Sequence, residues 1–122
     1  MSLIERFEDI RAWQEARLLT KQIYQLSGEG IFSQDFGLRD QIRRAAVSAM
    51  SNIAEGFDCV TKKEFARFLE IARRSVEVQS LLYVALDVGY INKQTFEQHY
   101  QQTAKTKGLI GGFRHSLLKR NT

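Results

Sequence analysis

None of the 122 residues is proline, so nothing in the chain forces a helix to break or kink from within. Against that background the apolar residues recur at steps of three and four, and no segment alternates with the period of a strand. In a first segment, about 7–27, Trp13, Ala16, Leu19, Ile23 and Leu26 share one side of a helix, with Arg11, Gln14, Lys21 and Gln25 opposite. Ser27, Gly28, Glu29 and Gly30 break it. A second helix is expected over about 38–56, through Ile42, Ala45, Ala46, Ala49 and Ile53. The third, about 62–89, opens at Thr61-Lys62-Lys63-Glu64, the spacing of a capping box, and Gly89 is placed to stop it. Its stripe runs Phe65, Phe68, Leu69, Ala72, Val76, Gln79, Leu82, Tyr83 and Leu86. A fourth, about 93–118, follows the cap Asn92 and carries Phe96, His99, Thr103, Thr106, Ile110, Phe113 and Leu117. Gly108, Gly111 and Gly112 weaken it by about 1 kcal/mol each relative to Ala.

Four amphipathic helices with short connections pack most economically as an all-α, antiparallel up-and-down four-helix bundle, a single domain over 1–122. A three-helix core with a frayed fourth helix is the alternative. A composition 43% hydrophobic and 26% charged is that of a folded protein rather than a disordered one. The lone cysteine, Cys59, cannot form an intrachain disulfide and suits a reducing compartment. No apolar run reaches the roughly 20 residues that span a bilayer, and Met1-Ser2-Leu3-Ile4-Glu5-Arg6 meets charge where a signal peptide would be apolar. A cytoplasmic protein with no membrane partner is the expectation.

Two features exceed what a core needs. On the third helix Lys63, Arg67, Glu70, Arg74 and Glu77 face away from the stripe, but the same side continues as Leu81, Val84 and Val88. That switch from polar to apolar predicts a subunit interface, unless a loop or the Phe7 segment folds over it. The second feature is basic. Lys and Arg outnumber Asp and Glu by 18 to 14. They cluster as Arg39, Arg43 and Arg44 on the second helix, Lys62, Lys63, Arg67, Arg73 and Arg74 on the third, and Lys105, Lys107, Arg114, Lys119 and Arg120 on the fourth. Forked cationic donors suit phosphate oxygens. The competing arrangement is a solvated face held by intrahelical pairs, Asp40 with Arg44, Arg67 with Glu70, and Glu70 with Arg74.

Signals for catalysis are few. Arg44, Ser48, Ser51 and Glu55 form a polar line on the second helix, but His99 and His115 have no positional link to it, so a serine nucleophile lacks its base. The residues three before those histidines are Phe96 and Gly112, which excludes the Glu-x-x-His pairs of a di-metal bundle. No phosphate-cradling glycine loop, zinc-protease motif or EF-hand loop occurs. The residues give no catalytic or metal-ligating set and call for no cofactor.

The stretches FEDIRAWQEA at 7–16, GLRDQIRRAAVSAMSNIAEGF at 37–57, KKEFARFLEIARRSVEVQSLL at 62–82 and LDVGYI at 86–91 resemble the 23S rRNA intervening-sequence proteins. That four-helix bundle family includes the accessory variability proteins of diversity-generating retroelements. The resemblance implies ring-like homopentamers with a basic surface for nucleic acid, in the retroelement relatives also a reverse transcriptase partner, and no enzymatic activity. Its matching basic positions are Arg43, Arg44, Lys62, Lys63, Arg67 and Arg73, and Asn52, Glu55 and Gly56 fall in its SNIAEG signature with structural roles, Gly56 as the end of the second helix. Three positions depart from the family: Ala49-Met50 stands where Ile-Pro is common, Arg74 where a small residue is usual, and the tail after Gly108 is glycine-rich.

Two functions follow as expectations. The first is a non-enzymatic oligomeric accessory protein whose rows Arg39, Arg43, Arg44, Lys62, Lys63, Arg67, Arg73 and Arg74 contact the phosphates of RNA or DNA with low sequence specificity. The second is a protein–protein scaffold with no nucleic-acid role.

Overall fold

Three helix starts are set by side chains that accept backbone amides. Asp35 Oδ1 takes the Leu38 amide at 3.1 Å, Thr61 Oγ1 the Glu64 amide at 3.1 Å and Asn92 Oδ1 the Thr95 amide at 2.8 Å. In the computed structural model, which describes residues 4–74 and 77–119, five α-helices result. They are α1 (Arg11–Ser27), α2 (Phe36–Phe57), α3 (Lys62–Arg73), α4 (Glu77–Asp87) and α5 (Lys93–Lys119). Single stretches of 3-10 helix, Phe7–Asp9 and Gly30–Gln34, precede α1 and α2. Among the described residues there is no strand.

Gly89 ends α4 as its position predicts. With φ +83° it lets the Tyr90 amide reach Ala85 O at 2.8 Å while its own amide reaches Leu86 O at 3.1 Å, a Schellman closure. Tyr90 then stacks beside Phe32 and donates its hydroxyl to Asp35 Oδ2 at 2.9 Å, tying the end of α4 to the start of α2.

The expected third helix is two helices. At Arg74 the amide is shared between Glu70 O and Ile71 O, both at 3.2 Å, and α3 closes there. Its buried residues are Ala66, Leu69 and Ala72. Those of α4 are Val78, Leu81, Leu82 and Ala85, about one position earlier than an unbroken helix would place them. The interruption therefore moves Tyr83, assigned to the stripe, to 48% exposed and brings Leu81, assigned to the outer face, to 8%. Val76, also assigned to the stripe, lies outside the described residues, as do Met1 to Leu3 and Arg120.

The alternative of a frayed fourth helix does not hold, because α5 is continuous across its glycines for 27 residues. Phe96, Thr103, Thr106 and Ile110 are buried along it. Thr103 and Thr106 satisfy their hydroxyls on the carbonyls of His99 and Gln102, each at 2.8 Å.

Four helical limbs thus pack around one another, α3 and α4 forming one of them. Thr20 of α1 bonds Ala46 O and Ser27 accepts from Arg43, so sequence number rises along one helix as it falls along the other. Glu15 meets Gln102 between α1 and α5. The core divides into two clusters. One, around Leu19, Ile23, Phe32, Ile42, Val78 and Leu82, lies at the α4 end. The other, around Trp13, Ala16, Ala49, Ile53, Leu69 and Ile110, lies at the α3 end. Gly56 is the last residue but one of α2, close to the end expected of it, and it is buried there. A Cβ there would lie 2.7 Å from Phe65 Cδ1 and 2.8 Å from Phe68 Cβ, so its role is to let α3 close onto α2. Among the described residues no helix is long and apolar enough to cross a membrane.

Candidate functional site

The basic residues of α2 and α3 separate. Arg43 turns inward along α1: Nε donates to the buried Ser27 hydroxyl at 2.8 Å, an outer nitrogen donates to Tyr24 O at 3.2 Å, and the guanidinium lies 4.4 Å from the Tyr24 ring centre. It satisfies carbonyl and hydroxyl acceptors at the end of α1, where a cation also complements the helix dipole. Arg39 donates to Ser33 O at 3.2 Å, pairs with Asp40 at 2.9 Å and covers the Phe36 ring. Two members of the expected phosphate row are thus occupied in holding the connection between α1 and α2. Arg44 remains exposed, and its expected partner Asp40 is taken by Arg39.

The α3 residues do converge. Lys63, Arg67 and Arg74 line one side of an open groove of about 630 Å³ against α5, which supplies Arg114 and Leu118. Ala66 and Ile71 contribute apolar floor, and Glu64 and Glu70 are its carboxylates. Lys62 is exposed on the first turn of the same helix. Arg67 lies 4.9 Å from the Phe68 ring centre rather than pairing with Glu70.

Glu70 is the electrostatic centre of this region. Arg73 grips it with two donors, Nε to Oε1 at 3.1 Å and an outer nitrogen to Oε2 at 3.0 Å. Arg74 and Arg114 stand further off, each with Nε 3.9 Å from a carboxylate oxygen. The hydrogen bond from Arg73, aided by the charges of all three arginines, holds the Glu70 carboxyl below its ordinary range against the opposing effect of burial. The same contact raises Arg73. Arg114 is fixed by a bond from Nε to Ala66 O at 2.9 Å. A Cβ at Gly111 would come 3.2 Å from Arg73 Cδ, which explains why a glycine in α5 serves here.

The expected interface residues divide as well. Leu81 belongs to the chain's own core, a consequence of the break before α4, whereas Val84 and Val88 are 44% and 56% exposed beside Tyr83. Among the described residues neither a loop nor the Phe7 segment covers Val84 and Val88; Phe7 packs edge-on against Trp13 instead.

The remaining concavities offer other chemistry. Gln22, Gln25, Glu29, Gln98, His99 and Gln102 line a cleft of about 510 Å³ between α1 and α5 that the periodicity did not single out. His99 directs Nδ1 to Thr95 O at 2.8 Å, which makes that nitrogen a donor. The line Arg44, Ser48, Ser51 and Glu55 holds an internal contact, Asn52 donating to Ser48 O at 2.8 Å and to Ser48 Oγ at 3.0 Å. Cys59 Sγ lies 3.7 Å from Glu55 O. Among the described residues no group of three or more His, Cys, Asp or Glu side chains converges as a metal site would require.

The fold is shared with a protein of known structure. The structure is similar to the crystal structure of a protein of unknown function from the S23 ribosomal protein family of Bacteroides thetaiotaomicron VPI-5482. The TM-score is 0.76 at 19% identity, over 84% of this chain and 97% of that one, which shows a shared fold. No curated protein matches the chain. The sequence model of the 23S rRNA-intervening sequence protein family matches residues 8–112, from the turn before α1 to the glycines of α5. The chain is therefore a member of the 23S rRNA-intervening sequence protein family.

Proposed function

We propose that this protein is a non-enzymatic, oligomeric nucleic-acid-binding accessory protein on an up-and-down antiparallel four-helix bundle, with the α3–α5 groove as its phosphate-binding surface. The observation that carries this reading is the convergence of Lys63, Arg67, Arg74 and Arg114 on one open groove where Glu70 is already neutralised by Arg73. Donors of this kind position a strand by its backbone without reading bases. The family's name ties it to an intervening sequence of 23S rRNA, which makes structured RNA the first ligand to try. Homopentamers and a reverse transcriptase partner, as in the retroelement relatives, belong to the same proposal, since copies of the groove around a ring would add their fields.

Fluorescence anisotropy of labelled structured RNA and duplex DNA across a salt series tests it. Four phosphate contacts per protomer predict a log–log slope of about −3 to −4. Lys63→Glu with Arg67→Glu should weaken binding to both ligands and make the slope shallower by about two. Absence of binding at low salt overturns the reading. The exposed Tyr83, Val84 and Val88 then favour the second one, a protein–protein scaffold.

A further inference from the structure

We infer that the end of the groove between Arg74 and Arg114 holds a phosphate monoester, the terminal phosphate of a nucleic-acid strand, an inference that rests on the nucleic-acid reading above. Three guanidinium groups surround one carboxylate, but unequally. Arg73, outside the groove, uses two donors on the two Glu70 oxygens and offsets its charge. The Arg74 side chain makes no hydrogen bond or ion pair among the described residues beyond its 3.9 Å approach to Glu70, and it is 74% exposed. Arg114 commits Nε to Ala66 O, which leaves the outer nitrogens of its fork available. One cation from each wall therefore faces the groove with only a distant, shared carboxylate, Glu70 at 3.9 Å from each, which Arg73 already holds through two hydrogen bonds.

An internal phosphodiester carries one negative charge. A phosphate monoester carries about −1.5 to −2 at pH 7 and three acceptor oxygens, which match two forked cations better. The rest of the strand also has a place to go. At 1.5 Å per residue, Arg67 and Lys63 lie about 10 and about 16 Å from Arg74 along the α3 axis, in line for phosphates further from the end.

The test is anisotropy competition among single-stranded oligonucleotides of one sequence carrying a 5′-phosphate, a 3′-phosphate or hydroxyls at both ends. The wild-type protein should prefer a phosphorylated end by roughly five- to tenfold, between the worth of an exposed ion pair and that of a charge-assisted hydrogen bond. Arg74→Gln should remove that preference, and Arg114→Gln should do the same. Lys63→Gln should weaken every ligand alike and keep the preference. Equal affinity of the wild type for all three oligonucleotides overturns this inference and leaves the groove as a backbone-binding surface. Retained preference in both arginine variants also overturns it, and failure of any oligonucleotide to bind removes the nucleic-acid reading itself.

Discussion

Glycine occupies α2 and α5 for opposite physical reasons, and substitution separates them. At Gly56 an added methyl meets Phe65 and Phe68 at under 3 Å on the partner helix. The neighbours are the ring and Cβ of packed side chains, so relief requires α3 to move. Gly56→Ala should destabilise the protein by about 1–3 kcal/mol, the usual penalty for overpacking a filled core. At Gly108 and Gly112 no atom of the described residues outside the neighbouring helix backbone lies within 4 Å of the added carbon, and both sit in the interior of α5. Gly108→Ala and Gly112→Ala should each stabilise by roughly 0.5–1 kcal/mol through the unfolded chain's lost freedom and the better helix former. Thermal denaturation followed by circular dichroism reads both, with the melting temperature moving down for the first variant and up for the others. A melting temperature of Gly56→Ala at or above that of the wild type would show that the α2–α3 contact is not tight.

Between α3 and α4 the helix is interrupted, and the buried face shifts by about one position. Leu81 is a core residue only because α4 is rephased, so Leu81→Ala should cost about 2–5 kcal/mol of folding stability. Val84→Ala and Val88→Ala should lie within about 0.5 kcal/mol of the wild type in the isolated chain, because neither is buried in it. Urea denaturation at low protein concentration distinguishes this from an unbroken helix, in which Leu81 would be the exposed one. The sequence made the ends of helices readable because their signals are local: Thr61, Asn92 and Gly89 act within four residues of themselves. It did not make the break readable, since no proline or glycine marks it and Arg74 is an ordinary helix former. The candidate site shows the same division. Lys63, Arg67 and Arg74 share a face by spacing alone, whereas the recruitment of Arg114 depends on how α5 lies along α3. The withdrawal of Arg43 likewise depends on Ser27 and Tyr24, sixteen and nineteen residues away.

For the whole molecule, the exposed Val84 and Val88 of the α4 limb are not among the residues that line the α3–α5 groove, which makes assembly and ligand binding independently testable. Val84 and Val88 are four residues apart on one face, and Tyr83 beside them packs its ring on Phe96 and Tyr100 of α5. Covering that face in an oligomer would remove apolar surface from water at about 25 cal/mol per Å². Val84→Asp with Val88→Asp should therefore dissociate the proposed oligomer, seen as a fall in mass by light scattering, while each protomer keeps its helical content and its groove. Nucleic-acid affinity should fall along with assembly, because linked copies bind a long strand more tightly than one copy does, but a short oligonucleotide filling one groove should bind as before. An unchanged mass would place the subunit interface elsewhere. A lost short-strand affinity in a correctly folded protomer would mean that the groove is completed by a neighbouring copy, and that ligand binding and assembly are a single property of this protein.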